Sequence, residues 1–179
     1  MGASLGGVQA IQALLTGLPA SFAMPIVAAL HRHRDSDGGL VELIQRTSAL
    51  HVAEARDKQI IESGSVFLAP ADYHLLIDGD HLALSVDEPV RYARPSIDVL
   101  FESAADWERH VTAIVLTGGG ADGASGVAAI EANGGDVIVQ DPSEAASSDM
   151  PLAALAATKR SQILRIDAIA RRLAKQTTE

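Results

Sequence analysis

The chain contains no cysteine. That excludes disulfide stapling, thiolate nucleophiles and thiolate metal centres, and fits a reducing compartment such as the cytoplasm. Aromatic residues are also scarce, at 3% of 179 residues, although 47% are hydrophobic. A core must then be built from Ala, Val, Leu and Ile, the composition of layered α/β folds whose strands are buried on both faces. No apolar run approaches the ~18 residues of a membrane span, and no cleavable signal is visible, so membrane insertion is not expected. Positive charge is short as well. Fourteen Lys and Arg stand against 23 Asp and Glu, a net charge of −9, which argues against a nucleic-acid partner. Arg171, Arg172 and Lys175 cluster on a C-terminal helix and read as a solvated face. The length suits a single domain, 1–179, with one core.

Apolar runs rich in β-branched residues alternate with segments of helical period. Strands are predicted at Pro25–Leu30, Val66–Ala69, Thr112–Leu116 and Asp136–Gln140, and the apolar Ile163–Ile166 lies between the last two helices. Helices are predicted after Gly7, around Leu40–Ile44 with Asp37 as N-cap, and over Ser96–Trp107, Gly123–Ala132, Leu152–Thr158 and Asp167–Lys175. His74–Leu84 reads as a β-hairpin turned by Asp78-Gly79-Asp80. Continuous apolar strands separated by single helices imply a doubly wound, mostly parallel sheet with helices on both faces and an antiparallel hairpin excursion. Pro142–Asp149 holds no large apolar group and reads as a mobile surface loop.

Ligands of open parallel sheets bind beyond the carboxyl ends of the strands. That rule picks out three loops, Gly2–Gly7, His31–Gly39 and Thr117–Gly123, and each holds one kind of triad residue. Gly2-x-Ser4-x-Gly6 has the spacing of a nucleophile elbow, a sharp strand-to-helix turn that presents a serine. His31 follows a buried strand directly, and Asp122 lies in a glycine-rich loop that opens a helix. A serine hydroxyl attacks well only when an imidazole removes its proton, and a carboxylate on the other ring nitrogen orients that imidazole. Against this, Ser4 and Asp122 can each cap a helix, and His31 can be a hydrogen-bonded strand-end residue. The elbow also lacks its usual lead-in, since only Met1 and Gly2 precede Ala3. The expectation is therefore that the first strand is missing, through truncation or a misassigned start. That would leave a gap in the sheet and little support around Ser4.

Two rival constellations share these loops. His31-Arg-His33-Arg-Asp35 has the H-x-H-x-D spacing of metallohydrolases, and two histidines two apart on extended backbone point the same way. His51, His74, His81 and His110 offer no complementary spacing, and no metal is expected. Gly118-Gly-Gly120 before a helix suggests phosphate binding. However, no complete dinucleotide fingerprint follows, and Asp122 would repel phosphate.

Taken in order, Gly2–Gly7, the strand ending at His31, Phe67–His74, Arg94–Phe101, Leu116–Ala124 and Met150-Pro151 resemble the catalytic domain of the chemotaxis protein-glutamate methylesterases, the CheB type. The resemblance implies a serine-hydrolase triad of Ser4, His31 and Asp122, choosing His31 over His33. It implies an oxyanion hole from the backbone N–H groups of Leu5 and Gly119, and no metal or organic cofactor. His74 matches a family histidine and is expected to line the site or serve structure. Asp98 is expected to be an i,i+4 or capping partner near Arg94, with orientation of site residues as the lesser alternative. The implied reaction is hydrolysis of γ-glutamyl methyl esters on the cytoplasmic helices of methyl-accepting chemoreceptors, releasing methanol. Some relatives also deamidate glutamines. The family's usual Thr is Leu5 here, its Asn before the aspartate is Ala121, and its frequent Met is Gly119. The family's receiver domain has no counterpart in this sequence. These departures motivate the alternative of a non-catalytic receptor- or partner-binding homologue. Oligomeric state is left open.

Overall fold

A computed structural model describes residues 1–34 and 39–176. Asp35 of the His-rich motif and Asp37, expected as an N-cap, lie outside the described residues. The elements in chain order are β1 (Gly2–Ala3), α1 (Gly7–Thr16), β2 (Ile26–Leu30), α2 (Gly39–Gln45), β3 (His51–Glu54), β4 (Gln59–Ile60), β5 (Ser65–Leu68), β6 (His74–Asp78) and β7 (His81–Ser85). They continue with α3 (Ile97–Ala105), β8 (Thr112–Val115), α4 (Ala124–Ala132), β9 (Asp136–Gln140), α5 (Asp149–Ala157), β10 (Gln162–Leu164) and α6 (Ile166–Gln176).

Seven strands form one sheet in the order β10-β9-β8-β1-β2-β5-β3, with every pairing parallel. Val, Ile and Ala dominate its strands, as burial on both faces requires. Leu14, Leu15, Ile44 and Leu173 pack one face under α1, α2 and α6. Phe67, Leu100, Phe101, Val127 and Met150 pack the other under α3, α4 and α5. The predicted hairpin is present as β6–β7, and β4 adds to it as a three-stranded antiparallel sheet. Leu75 and Leu82 bury its inner face against the second core.

The expectation of a missing first strand is corrected. Gly2–Ala3 forms β1 at the centre of the sheet, in register with Ala29–Leu30 of β2 and with Val115 of β8. Backbone bonds tie Met1–Ser4 to the strands on both sides. Ala29 N–H donates to Met1, His31 N–H to Ala3 and Leu116 N–H to Gly2, while Ser4 N–H donates to Thr117. The Met1 amino group donates to the Val27 carbonyl at 2.6 Å, and its burial lowers its pKa to about 5. Met1 and Ala3 are themselves buried, so the turn that carries Ser4 stands on a buried strand paired on both edges.

The Pro142–Asp149 segment is tied down rather than loose. Gly118 N–H donates to the Ser147 carbonyl, and Met150 N–H donates to the Gly118 carbonyl. The Thr117 hydroxyl donates to the Leu5 carbonyl at 2.9 Å and accepts from Ser147 N–H at 2.9 Å. One threonine thus fastens this segment to the turn that carries Ser4. Glu144 accepts from Ile166 N–H and anchors the other end.

Gly6 sits in that turn in the left-handed region, at φ +77°, and a Cβ there would lie 2.6 Å from the Ala146 Cβ. Both the conformation and the space demand glycine. Gly6→Ala is expected to lose about 1–3 kcal/mol through left-handed strain and overpacking. Equilibrium urea unfolding measures it. A wild-type midpoint would show that the turn tolerates a side chain.

Candidate active site

Ser4 and His31 each follow the last residue of a strand, and those residues, Ala3 and Leu30, are register partners. Neighbouring parallel strands lie about 4.8 Å apart, so the sheet itself sets the serine beside the histidine. Asp122 enters from the loop after β8, on the opposite side of β1 from β2. Its Oδ2 lies 2.7 Å from His31 Nε2. That bond leaves Nδ1 as the free ring nitrogen. Among the described residues no hydrogen bond joins the Ser4 hydroxyl to His31.

Asp122 is 5% exposed and fully engaged. Oδ1 accepts from the Ser96 hydroxyl and Asp98 N–H, both at 2.9 Å. Oδ2 accepts from Ile97 N–H at 2.8 Å as well as from His31. Ile97 and Asp98 are the first residues of α3, so this carboxylate caps that helix from another part of the chain, where orphan N–H groups and the helix dipole favour negative charge. Burial alone would raise its pKa. The His31 bond, then the two N–H groups and the Ser96 hydroxyl, outweigh burial and hold the carboxyl below its ordinary value. Asp122 is thus both a cap and the partner of His31. It does not cap its own following helix, α4, where Gly123 is the N-cap residue.

His74 stands behind the site rather than on its surface. It is 1% exposed. Its Nδ1 accepts from Ser96 N–H, and its Nε2 faces the Glu88 carbonyl, both at 3.2 Å. It steadies the serine that bonds Asp122. Asp98 pairs with Arg91, at 3.3 Å, rather than with Arg94. It also accepts from Gly126 N–H of α4 at 2.9 Å. Burial first, and the nearby Asp122 charge, push its pKa up despite that bond. Arg94 instead binds Asp72 and the carbonyls of Val86 and Asp87.

The backbone N–H groups of Leu5 and Gly119 have no partner among the described residues. Leu5 is 65% exposed beside Ser4. Gly118 is where the glycine loop touches the elbow. A Cβ there would meet the Met150 sulfur at 2.1 Å and the Ser4 Cβ at 2.8 Å. At Gly119 the nearest atom to such a Cβ is the Ser147 hydroxyl, 4.0 Å away.

Sequence reasoning missed the part played by Ser96, Thr117 and Gln140. Ser96 reads locally as an N-cap, and its hydroxyl does face Val99 N–H, but it also reaches Asp122. Gln140, 2% exposed at the end of β9, accepts from Thr117 N–H at 2.7 Å and fixes the start of the glycine loop. A buried glutamine at a strand end was the available signal.

Comparison with known proteins gives this arrangement a family. The chain is 40% identical over 172 residues to a putative protein-glutamate methylesterase/protein-glutamine glutaminase of Leptospira interrogans, covering 95% of this chain and 89% of that one. It is 36% identical to a protein-glutamate methylesterase/protein-glutamine glutaminase of Saccharophagus degradans, covering 97% of this chain but 48% of the relative. The crystal structure of the Thermotoga maritima CheB methylesterase catalytic domain superposes with a TM-score of 0.93 at 28% identity, covering 98% of this chain and 95% of that one. The CheB methylesterase family model matches residues 1–173, and the chain belongs to that family.

Proposed function

We propose that this chain is a serine ester hydrolase that removes methyl groups from glutamyl side chains on the cytoplasmic helices of chemoreceptors and releases methanol. The observation that supports the reading is that Ser4 and His31 follow the register partners Ala3 and Leu30, while Asp122 bonds His31 at 2.7 Å. The reading puts the protein in the cytoplasm. No helix among the described residues is long and apolar enough to cross a membrane.

In this mechanism His31 takes the Ser4 proton on Nδ1 as the hydroxyl oxygen attacks the ester carbonyl. Asp122 holds the ring by Nε2–H and stabilises the imidazolium that forms. The N–H groups of Leu5 and Gly119 receive the developing oxyanion. The tetrahedral intermediate collapses, the C–O bond to the methoxy group breaks, and the leaving oxygen takes the proton from His31 as methanol departs. Water then attacks the glutamyl-serine ester, with His31 again as base, and restores the hydroxyl and a free glutamate. A glutamine would follow the same path with ammonia as leaving group. Hydrogen bonds that are absent at rest commonly close only when substrate is bound, as the Ser4–His31 bond must here. The Leu5, Gly119 and Ala121 departures remove no backbone donor, so they bear on rate and substrate choice more than on the existence of the site.

Ser4→Ala is expected to reduce methanol release from methylated receptor about 10³-fold or more, and to abolish labelling by a fluorophosphonate. Retained release would sink the reading, and an unlabelled wild-type Ser4 would favour the non-catalytic homologue. Asp122→Asn is expected to lower kcat by about 10³–10⁴-fold, because an amide cannot hold the imidazole in the same tautomer.

Asp122→Asn should also alter acid stability. A carboxyl with a depressed folded pKa contributes stability that is full above its unfolded value, near 3.9, and lost as pH falls through the folded value. The wild type should lose that increment below about pH 4. The variant should lack that part of the slope and start about 1–3 kcal/mol lower at pH 7, with N–H donors left facing an amide. Urea unfolding from pH 2.5 to 7 reads both. Parallel pH profiles would show that Asp122 is not under this load.

A further inference from the structure

We propose that the turn Val90–Ala93, with the arginines beside it, is the surface that selects substrate by gripping an acidic protein segment next to the esterified glutamate. This rests on the hydrolase reading above and adds to it the residues that read the substrate.

Val90 and Ala93 exchange both backbone hydrogen bonds, N–H to carbonyl at 3.1 and 2.9 Å. The two residues between them, Arg91 and Tyr92, have φ of +49° and +65°. Two consecutive left-handed residues closing such a bridge make the turn that Asn-Gly adopts without strain. Arg and Tyr each carry a Cβ that resists it. Strain of this kind persists where surrounding structure imposes it, and it collects at ligand clamps. Arg94 supplies the imposition, since its guanidinium bonds Asp72 and the carbonyls of Val86 and Asp87 beneath the turn. Arg91 Nε lies 3.3 Å from the Asp98 carboxylate, which holds the near side of the turn.

What this base holds up is an aromatic side chain with no packing of its own, since Tyr92 is fully exposed. Tyr92 and Arg91 stand at the lip of a cleft of about 710 Å³ that also takes in His31, Gly119 and Asp122. Four arginines line that cleft against two aspartates, in a chain of net charge −9. Three of these arginines are paired, Arg32 with Glu54, Arg91 with Asp98 and Arg94 with Asp72, and Asp122 is bonded to His31 and α3. The Arg91 side chain remains 54% exposed, and Arg34 is exposed beside it. A basic, aromatic-tipped lip on an acidic protein repels segments like its own surface and attracts carboxylates. Tyr and Arg are the residue types that anchor protein contacts. A glutamate-rich segment that carries the ester supplies the matching charge and, in its methylenes, apolar surface for the Tyr92 ring.

The test measures binding with the chemistry switched off. The affinity of a methylated chemoreceptor cytoplasmic fragment is compared for Ser4→Ala protein and for the same protein carrying Arg91→Asn and Tyr92→Gly. The Asn-Gly pair suits the turn, but loss of Arg91 leaves buried Asp98 without its ion-pair partner, so Tyr92→Gly alone, which keeps that pair, is measured beside the double variant. The fragment should bind about tenfold or more weakly, and affinity for the unsubstituted turn should fall steeply as salt is raised. Arg91→Lys with Tyr92→Phe should restore part of the loss. Equal affinity for the two turns, or no binding of the fragment to either, overturns the proposal. Because Ser4 is absent throughout, this outcome is independent of turnover. Loss of hydrolysis with turn-dependent binding intact would strike the hydrolase reading instead.

Discussion

One carboxylate couples the parts of this molecule that matter. Asp122 receives His31 Nε2, the Ser96 hydroxyl and the first two N–H groups of α3. These donors come from the loop after β2 and from the start of a helix that packs on the far core. The four bonds are mutually dependent, since a buried carboxylate left with fewer would either take a proton or drag its loop toward water. The same bonds that keep it ionised fix where the histidine points. His74 extends the network one residue outward through Ser96 N–H, and Asp98 extends it to α4 through Gly126. Site geometry and the packing of two helices are therefore one problem rather than two.

The serine side is fixed by different means. β1 has only two residues, but it lies between β2 and β8, and parallel pairing on both edges leaves it no freedom to slip. The chain turns sharply after Ser4, where Gly7 N–H donates back to the Ser4 carbonyl at 2.7 Å, and enters α1. Thr117 then clamps the turn from the neighbouring loop through the Leu5 carbonyl. Ser4 thus sits at the end of a central strand, between the loops of β2 and β8, the place where open parallel sheets bind their ligands.

Much of this could be read from sequence because burial on both faces writes itself as continuous apolar runs. β2, β8 and β9 were visible in that way, and with them the strand ends that carry His31 and the glycine loop. β1 was not visible, since two small residues carry no period and its stability comes wholly from its neighbours. β3, at the sheet edge, reads His-Val-Ala-Glu and is half exposed, so no apolar run marks it. β4 has two residues and exists by pairing with β7. The double duty of Asp122 was hidden for another reason. Capping rules are local, whereas this cap acts across more than twenty residues of sequence. The Asp98 partner was misjudged likewise, because a tight turn swings Arg91 toward Asp98 while Arg94 turns to Asp72.

The departures from the family's usual residues are best judged by what each position physically requires. The oxyanion donor proposed after Ser4 is a backbone N–H, which Leu5 supplies as well as threonine does. In the glycine loop the steric demand falls on Gly118, where any side chain would strike Ser4 and Met150, and on nothing near Gly119. Open space at Gly119 means that packing does not force glycine there. A larger residue would instead cover one wall of the cleft. Its absence leaves that wall of the cleft open. On the proposed reading, discrimination then falls to contacts farther out, where Arg34, Arg91 and Tyr92 are among the cleft residues that reach solvent.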